Sequence, residues 1–448
     1  MVLSFSKGNC LLRKAFIVTQ FICSSAFAAG NIQYAQFQRL NTPNNPGEEI
    51  NSFAEINFSD VWDVKKYNAT TKGNASIRYY PTGKQTMFSL GEFFIEKQRG
   101  DTRVRMGRQV LDWTDGEKFW GIGAFNGIKG FNLIDSDQEG LTGIEVQRKM
   151  WGGVVKAFGS ILHIPTMNPG YIFRNGEIVG LNEWSKLPPS TLNFREGTAP
   201  VRYDLMTPEL NDLLLRPSYG LSFQKQLAKV NLSFFGMIKP ENRLRTGAYG
   251  YYEQDEVDQA RMKIRAYSIN HTVAGGTVAF PILDVKVKIG AMSVKPDVNY
   301  HDDFEPESYE NYQYETDLYD ERHIFASVFL DAEEGNFHLH YISSRRDLVM
   351  EARRNSGGTN VFGGELRFEN ALGMDYTRLI GDSWFVKARY IGDLNLGDKI
   401  FKGELSYRHK SGASVTGGVQ VLEVPEDSSY WATYRSNDTM YANFSYNF

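Results

Sequence analysis

Apolar and polar residues alternate along short segments of the chain from about residue 50 to its end. Clear examples are KVNLSFFGMI, LDVKVKIGAM, NFHLHYISS, WFVKARYI, FKGELSYR and ASVTGGVQV. A period of two places successive side chains on opposite faces of a β-strand. Breaks rich in Gly, Asn and Asp separate the segments, which is typical of hairpins. The pattern therefore predicts an all-β chain.

The connections between the predicted strands alternate between short and long. Short turns are predicted near residues 99–100, 149–152, 227–228, 281–284, 332–336, 380–383 and 410–412. Long connections are predicted near 67–73, 113–138, 164–217, 239–260, 296–322, 346–359, 392–399 and 425–435. The alternation holds if 74–98, 261–280 and 360–379 are each one long strand. It predicts a transmembrane antiparallel β-barrel of sixteen strands over residues 50–448, with short periplasmic turns and long extracellular loops.

Two places leave the strand number open. Pro81-Thr82-Gly83 is also compatible with a hairpin turn, and residues 29–49 form either a periplasmic N-terminal segment or an extra strand. Eighteen strands are therefore the alternative. Barrels of sixteen to eighteen strands enclose an aqueous channel, so both counts predict a pore.

The first 28 residues have the features of a secretory signal peptide. Lys7, Arg13 and Lys14 precede an apolar stretch, and Ala26-Phe27-Ala28 is an A-x-A cleavage signal. Removal of these three basic residues and of no acidic ones changes the formal net charge from −4 to −7. Both cysteines, Cys10 and Cys23, lie in this segment, so the mature chain does not depend on disulfides.

The last nine residues, MYANFSYNF, alternate strictly and end on phenylalanine. Phe444, Tyr446 and Phe448 share a face with Met440 and Ala442, and that face is predicted to contact lipid. This ending resembles the carboxy-terminal insertion signal of bacterial outer-membrane proteins. The resemblance implies a location in the bacterial outer membrane, with lipid and the barrel-assembly machinery as partners.

Strand phase also predicts which charged residues face the lumen, because charges on the lipid face cost about 2–4 kcal/mol near the midplane. The predicted pore-lining residues are basic: Arg103, Arg105, Lys156, Arg261, Lys263, Arg265, Lys286, Lys288, Lys387, Arg389, Lys402 and Arg408. Inward acidic residues are fewer. Because lining charges bias ion selectivity, this excess predicts a mild anion preference.

Two loops are candidates for narrowing the pore. Loop 164–217 is the longest and the third by this count, and it contains a predicted helix in TPELNDLLL. In sixteen-stranded porins the third loop folds into the lumen, so the resemblance implies that 164–217 constricts the pore, and it also implies a homotrimer. For the apolar, glycine-rich loop 113–138, an inward position and a position on the rim both remain open.

The stretch RVRMGRQVLDW resembles a Gly-Arg-Gln strand of alginate-export-like channels. That resemblance implies a channel preferring an acidic sugar or another organic anion. Arg108 shares its phase with Val104 and Met106, so it is expected above the membrane or beside a bulge.

Chemical motifs favour transport over catalysis. The chain has no Gly-x-Ser-x-Gly, no HExxH and no concentrated basic run, so we predict no catalytic residues, metal site, cofactor or nucleic-acid partner. The main prediction is an outer-membrane porin for passive diffusion of small hydrophilic or anionic solutes. The alternative is a surface-display, adhesin or carbohydrate-binding barrel with a plugged lumen. A barrel hydrolase is a lesser alternative.

Overall fold

The fold is a single closed sheet of eighteen antiparallel strands in a computed structural model. The structure describes residues 30–41, 52–64, 69–81, 84–114, 116–129, 133–135, 137–166, 171–174, 177–180, 184, 188, 190–194, 197–206, 209–254, 258–283, 285–299, 312–332, 335–351 and 366–448. The predicted signal peptide lies outside these residues.

The barrel strands, numbered in chain order, are β1 Gly30–Arg39, β2 Ser52–Val64, β3 Ala69–Tyr80, β4 Gln85–Arg99, β5 Thr102–Gln109, β6 Leu141–Met150, β7 Gly153–Ser160, β8 Ser218–Leu227, β9 Val230–Pro240, β10 Asn270–Ile282, β11 Val285–Pro296, β12 Leu318–Ala332, β13 Gly335–Met350, β14 Asn370–Ile380, β15 Trp384–Asp393, β16 Lys399–Arg408, β17 Ala413–Glu423 and β18 Thr439–Asn447. Each strand pairs with the next.

Pairing of β18 with β1 closes the barrel. Their register runs from Asn31 opposite Asn447 to Arg39 opposite Thr439. The terminal residue Phe448 also takes part, because its backbone N–H donates to the Gly30 carbonyl at 3.0 Å and its carbonyl accepts from the Gly30 N–H at 2.9 Å. A Cβ at position 30 would lie 2.4 Å from the Phe448 ring, so glycine gives this ring its space. No strand edge is left unpaired in the closed sheet.

The predicted antiparallel barrel is confirmed, but sixteen strands is wrong and the alternative of eighteen is correct. Residues 30–39 form the additional first strand. The predicted strand 74–98 is two strands, β3 and β4, joined at 81–84, where Lys84 has a positive φ of 50°. The predicted long connection at 67–73 is wrong as well, because β3 already begins at Ala69.

Connections alternate between the two ends of the barrel. The short-turn end carries the connections 65–68, 100–101, 151–152, 228–229, 283–284, 333–334, 381–383 and 409–412. The long-loop end carries 40–51, 81–84, 110–140, 161–217, 241–269, 297–317, 351–369, 394–398 and 424–438. Both β1 and β18 have their terminal ends, Gly30 and Asn447, at the short-turn end. No helix among the described residues is long and apolar enough to cross a membrane.

Large apolar side chains cover the outer face. Outward residues with more than a third of their surface exposed include Ile32, Ile56, Phe88, Ile95, Met106, Ile144, Leu221, Phe234, Ile289, Ile324, Leu339, Leu372, Leu405 and Val415. The predicted outward residues of β18 belong to this surface, with Phe444 50% and Phe448 54% exposed. A globular protein in water would bury such rings, so the exterior matches an apolar surrounding medium.

The connection 110–140, here called the inner loop, lies inside the barrel. It contains a short helix, Glu117–Trp120, and a two-stranded ladder, Gly127–Ile128 with Gln138–Glu139. Its buried side chains belong to one apolar cluster with inward residues of the barrel wall and of other loops: Leu111, Trp113, Trp120, Ala124, Phe125, Leu133, Ile134, Leu141, Phe158, Trp184, Phe235, Met237, Val273, Met292, Val294, Phe325, Ile342, Phe368, Ala371, Ile391, Ile400, Leu422, Val424, Trp431 and Tyr434. Of the two placements considered for this segment, the inward one is correct.

Other long loops build a second sheet at the long-loop end. Its five strands are Thr191–Phe194, Gly197–Met206, Asp258–Tyr267, Arg245–Gln254 and Tyr312–Tyr314. The ladder of Tyr171–Arg174 with Glu177–Gly180, the helix Leu210–Leu214 and the 3₁₀ helix Tyr430–Tyr434 complete the described elements. The predicted single strand 261–280 is therefore wrong: Asp258–Tyr267 joins the loop sheet, and only Asn270–Ile282 enters the barrel.

Candidate functional site

A cavity of about 990 Å³ lies between the inner loop and one side of the barrel wall. Strands β1 to β5 and β16 to β18 form the wall, and Trp184 of connection 161–217 adds a side chain. The inner loop contributes the facing surface with Val110, Asp112, Lys118, Lys129, Asp135, Asp137 and Gln138. We call this part of the interior the cavity side. The opposite part, β7 to β15, packs apolar residues against the inner loop and is called the packed side.

Three ion pairs follow one another along the cavity side of the wall. Arg78 of β3 donates to Glu55 of β2 at 2.8 Å. Lys72 of β3 pairs with Glu92 of β4 at 2.5 Å. Arg105 of β5 pairs with Glu96 of β4 at 2.6 Å. The first two pairs are six residues apart on β3, or about 20 Å along a strand. The cavity thus extends from the long-loop half of the barrel into its short-turn half.

Ion pairs also fasten the inner loop to the wall. Lys402 of β16 contacts Asp135 of the loop and lies 2.9 Å from Glu404 on its own strand. Lys156 of β7 contacts Asp112 at 2.7 Å. Each contact joins a wall cation to a loop carboxylate, so the loop is held on both flanks.

A buried carboxylate organises the inner loop itself. Glu117 is fully buried and accepts hydrogen bonds from the backbone N–H groups of Phe125 at 2.5 Å and Asn126 at 3.2 Å. Burial raises the pKa of Glu117 to about 7, although these two N–H groups oppose the shift. Nearby, the buried Lys239 ammonium donates to the Ala124 carbonyl at 3.3 Å and to Asn242 at 2.8 Å. Buried hydrogen bonds thus hold the inner loop together and connect it to Lys239 and Asn242.

Two of the predicted pore-lining residues, Arg105 and Lys402, line the cavity. Arg103 lies next to Arg105 on the inward face of β5, contacts Gln147 and is 3.9 Å from Glu96. Lys156 is buried beneath Asp112. All four have carboxylate partners, so their charges are locally balanced.

Five further predicted residues lie on inward positions outside the cavity lining. Arg389 pairs with Asp375 at 2.8 Å and donates to the Ile134 carbonyl of the inner loop at 3.0 Å. Lys387 is 3.9 Å from Glu404. Lys288 lies 5.2 Å from the Phe329 ring centre, and Arg408 lies 5.1 Å from the Phe385 ring centre. Lys286 is exposed beside the short turn at 283–284. Their role as pore-lining residues remains a prediction.

Arg261, Lys263 and Arg265 are not on the barrel wall. They belong to Asp258–Tyr267, which pairs in parallel with Gly197–Met206 and antiparallel with Arg245–Gln254. This segment does alternate, but its buried face consists of Ala260, Met262 and Ile264 in the loop sheet, and the three basic residues lie on the opposite, less buried face. Strand phase alone does not distinguish a barrel strand from a loop strand.

The position of loop 161–217 in the loop order differs from the prediction. It is the fourth connection at the long-loop end, and the third, the inner loop, enters the barrel. Among the described residues of 161–217, Trp184 lines the cavity, and constriction of the pore by this loop stays a prediction. The predicted helix starts later than expected, at Leu210, after Glu209 as N-cap.

Arg108 is buried, and its guanidinium lies 3.6 Å from the Glu139 carboxylate of the inner loop. The preceding residue, Gly107, has a φ of 134°, which side-chain-bearing residues rarely adopt. An irregular backbone at Gly107 thus accompanies the departure of Arg108 from simple alternation.

Sequence reasoning missed the ion pairs of β2 to β4. Glu55, Lys72, Arg78 and Glu92 all line the cavity. Lys72 was assigned to a loop, and Arg78 and Glu92 were assigned to one strand instead of two. Their spacing was a usable signal, because Lys72 and Arg78 are an even number of residues apart and share a strand face.

Two serine–histidine pairs lie on the inward face of β12 and β13. Ser327 Oγ is 2.9 Å from His340 Nδ1, and Ser344 Oγ is 2.9 Å from His323 Nδ1. Phe119 stacks on His340 at 3.7 Å between ring centres, and all four paired residues are buried. Neither pair is among the residues that line the cavity, and no group of three or more metal-ligating side chains occurs in the part of the chain described.

No family model matches the chain, and no curated protein matches it. Similar solved structures are outer-membrane channels. OccK2 (OpdF) of Pseudomonas aeruginosa, solved with glucuronate, is 9% identical with a TM-score of 0.46, and the match covers 95% of this chain and 98% of that chain. OccAB2 of Acinetobacter baumannii is 10% identical with a TM-score of 0.45 and the same coverages. A BenF-like porin from Pseudomonas fluorescens Pf-5 is 8% identical with a TM-score of 0.46, again with those coverages. Likeness at this level assigns neither family nor substrate to the chain.

Proposed function

We propose that the chain is an outer-membrane channel through which small hydrophilic solutes diffuse passively. A closed barrel satisfies every strand edge, which a spanning sheet requires in lipid. Apolar side chains cover its outer face. The secretory signal and the aromatic terminal strand predicted from the sequence support export and insertion by the barrel-assembly machinery.

The cavity beside the inner loop carries this proposal. Its wall is polar, it holds about 990 Å³, and its ion pairs extend over both halves of the barrel. Charged and amide side chains face this space: Lys72 keeps 41% of its side-chain surface exposed, whereas Glu55 and Lys402 are buried in ion pairs. A cavity with such a polar lining lowers the free energy of moving a hydrated solute across an apolar membrane.

The lining charges set the expected selectivity. Among the described residues, six basic ones line the cavity: Lys72, Arg78, Arg105, Lys118, Lys129 and Lys402. Seven described acidic residues line it: Glu55, Glu92, Glu96, Asp112, Asp135, Asp137 and Glu404. The mild anion preference predicted from the sequence stays a prediction, and this near balance limits its size. We expect a permeability ratio close to one.

A plugged display barrel is the second candidate, and one observation favours it. The inner loop packs into a continuous apolar cluster that occupies the interior against the packed side. If the loops also close the cavity at either end, the barrel would present loops without passing solutes. A homotrimer, expected by resemblance to porins, is compatible with both candidates.

Single-channel recording of the mature protein in a planar bilayer tests the proposal. We expect ohmic steps, with a reversal potential near zero under a salt gradient. A barrel that is folded by its heat-modifiable migration, yet passes no current, would falsify the channel and leave the display barrel.

A further inference from the structure

The cavity contains a row of aromatic rings near the long-loop end. Tyr441, Phe37, Phe53 and Tyr80 lie on the adjacent strands β18, β1, β2 and β3, and all four line the cavity. Successive ring centres are 6.0, 5.6 and 6.1 Å apart. These spacings lie within the range of favourable aromatic pairs. The row is thus one connected surface across four strands.

The rings have two distinct environments. Phe53 and Tyr80 are 7% and 4% exposed and pack in a small cluster with Ala35 and Met87. Phe37 packs against this cluster but is only half-buried, and so is Tyr441 opposite it in the β1–β18 register. Phe37 and Tyr441 therefore present ring surface to the cavity, while the buried pair supports them from behind. The exposed surface of these two rings does not contribute to packing within the barrel wall.

Hydrogen-bonding groups lie beside the exposed rings and also farther along the cavity. Asn443 follows Tyr441 by two residues on the same face of β18, and Gln420 of β17 lies opposite Thr439 in the β17–β18 register. The amides of Gln33 and Asn57 line the same cavity nearer the short-turn end, and each amide can both donate and accept. The Tyr441 hydroxyl donates to Glu404 at 2.6 Å, which holds that ring in place. A flat apolar surface bordered by amides complements a molecule that has an apolar face and hydroxyls at its edge.

Charge decides between neutral and charged molecules of this shape. Lys402 lies 5.6 Å from the Tyr441 ring centre and is already paired with Asp135 and Glu404. Arg78 lies 4.1 Å from the Phe53 ring centre and is already paired with Glu55 at 2.8 Å. A carboxylated ligand would compete with that internal partner, whereas a neutral polyol can bond to both members of the pair. A small number of polar groups around an apolar surface is the usual composition of a solute site.

We propose that Phe37 and Tyr441 form a stacking platform for neutral sugar rings at the long-loop entrance of the channel. This inference rests on the proposed channel function and adds the class of solute. The apolar C–H face of the sugar lies on the two rings, and its hydroxyls bond to the surrounding amides.

Block of single-channel current by added solute tests the platform. Maltose should reduce the wild-type current saturably, and sorbitol, an open-chain polyol without a ring, should block much more weakly. Phe37→Leu and Tyr441→Leu keep an apolar side chain but remove the flat ring. Each should raise the half-blocking maltose concentration about two- to tenfold, the range expected for loss of one aromatic contact.

Two control variants separate stacking from general damage. Tyr441→Phe keeps the ring but loses the hydrogen bond to Glu404, so it should raise the half-blocking maltose concentration less than Tyr441→Leu does. Phe329→Leu removes an inward ring that does not line the cavity and should leave block unchanged. Heat-modifiable migration of every variant checks that it folds.

Two further outcomes would contradict the stacking platform and leave the proposed channel intact. Equal block by maltose and sorbitol, or stronger block by glucuronate that is insensitive to both leucine variants, would reject neutral ring stacking. An absence of ion current from folded wild-type barrel would instead reject the channel itself.

Discussion

The two sides of the barrel interior share one strand architecture but carry different residues. On the cavity side, inward positions of β2 and β3 hold Glu55, Asn57, Lys72 and Asn74. On the packed side, many inward positions are apolar, and they include Phe235, Met237, Val273, Met292, Val294, Phe325 and Ile342. Polar side chains such as Lys239, His271 and His323 are buried among them. The inner loop thus packs where the wall offers apolar partners, and the cavity remains beside the more polar wall.

The largest expected effect comes from removing a packed side chain of the inner loop. Trp120 is buried, and its ring centre lies 4.8 Å from that of Phe119 and 5.3 Å from that of Phe368. Trp120→Ala should lower the free energy of unfolding by about 3–5 kcal/mol, because it empties a packed site. Urea unfolding in detergent measures the change.

A matched control exists in the short turn at 151–152. Trp151 is 74% exposed, so Trp151→Ala should alter stability by no more than about 0.5 kcal/mol. Equal effects of the two substitutions would mean that the inner loop adds no packing energy to the barrel.

The second expected effect concerns pH. Because burial raises the pKa of Glu117 to about 7, from an ordinary 4.5, the folded chain binds a proton more tightly than the unfolded chain. The contribution of Glu117 to stability should therefore fall as pH rises from about 4.5 to about 7. Between pH 5 and pH 8 we expect a loss of about 1–3 kcal/mol that is absent in Glu117→Gln. Unfolding midpoints at the two pH values measure it.

Glu96→Gln serves as the cavity-side comparison. It also removes one carboxylate, but Glu96 lies on a wall strand and pairs with Arg105. If Glu117→Gln and Glu96→Gln gave the same slope, the burial of Glu117 would not be the source of the dependence.

The smallest expected effect is on selectivity. Lys286→Glu with Lys288→Glu should shift the permeability ratio toward cations, because two inward charges change sign. Arg105→Gln should give the larger shift per unit of charge, since Arg105 lines the cavity and the two lysines are not among its lining residues. Reversal potentials under a salt gradient rank the variants. A larger shift per charge from the lysines would place the ion path on the packed side.

Much of the barrel was predictable because a period of two is a local property. The outward face of β18 and the inward positions of Arg105 and Lys402 follow directly from it. Strand number was not predictable to the same degree. Pro81-Thr82-Gly83 is compatible both with a hairpin and with one continuous strand, so alternation alone did not decide between them. Arg261, Lys263 and Arg265 alternate as barrel strands do, yet they belong to a sheet formed between loops.

By itself the sequence determined a closed antiparallel barrel with an apolar exterior and charged inward positions, because these features follow from alternation between neighbouring residues. Only the tertiary structure decided which loop enters the barrel, since that choice depends on contacts between residues such as Asp135 and Lys402, which are 267 positions apart. The same long-range contacts pair the inward cations with carboxylates. As a result, the described lining of the cavity carries nearly equal numbers of basic and acidic residues, whereas the sequence predicted a basic lumen.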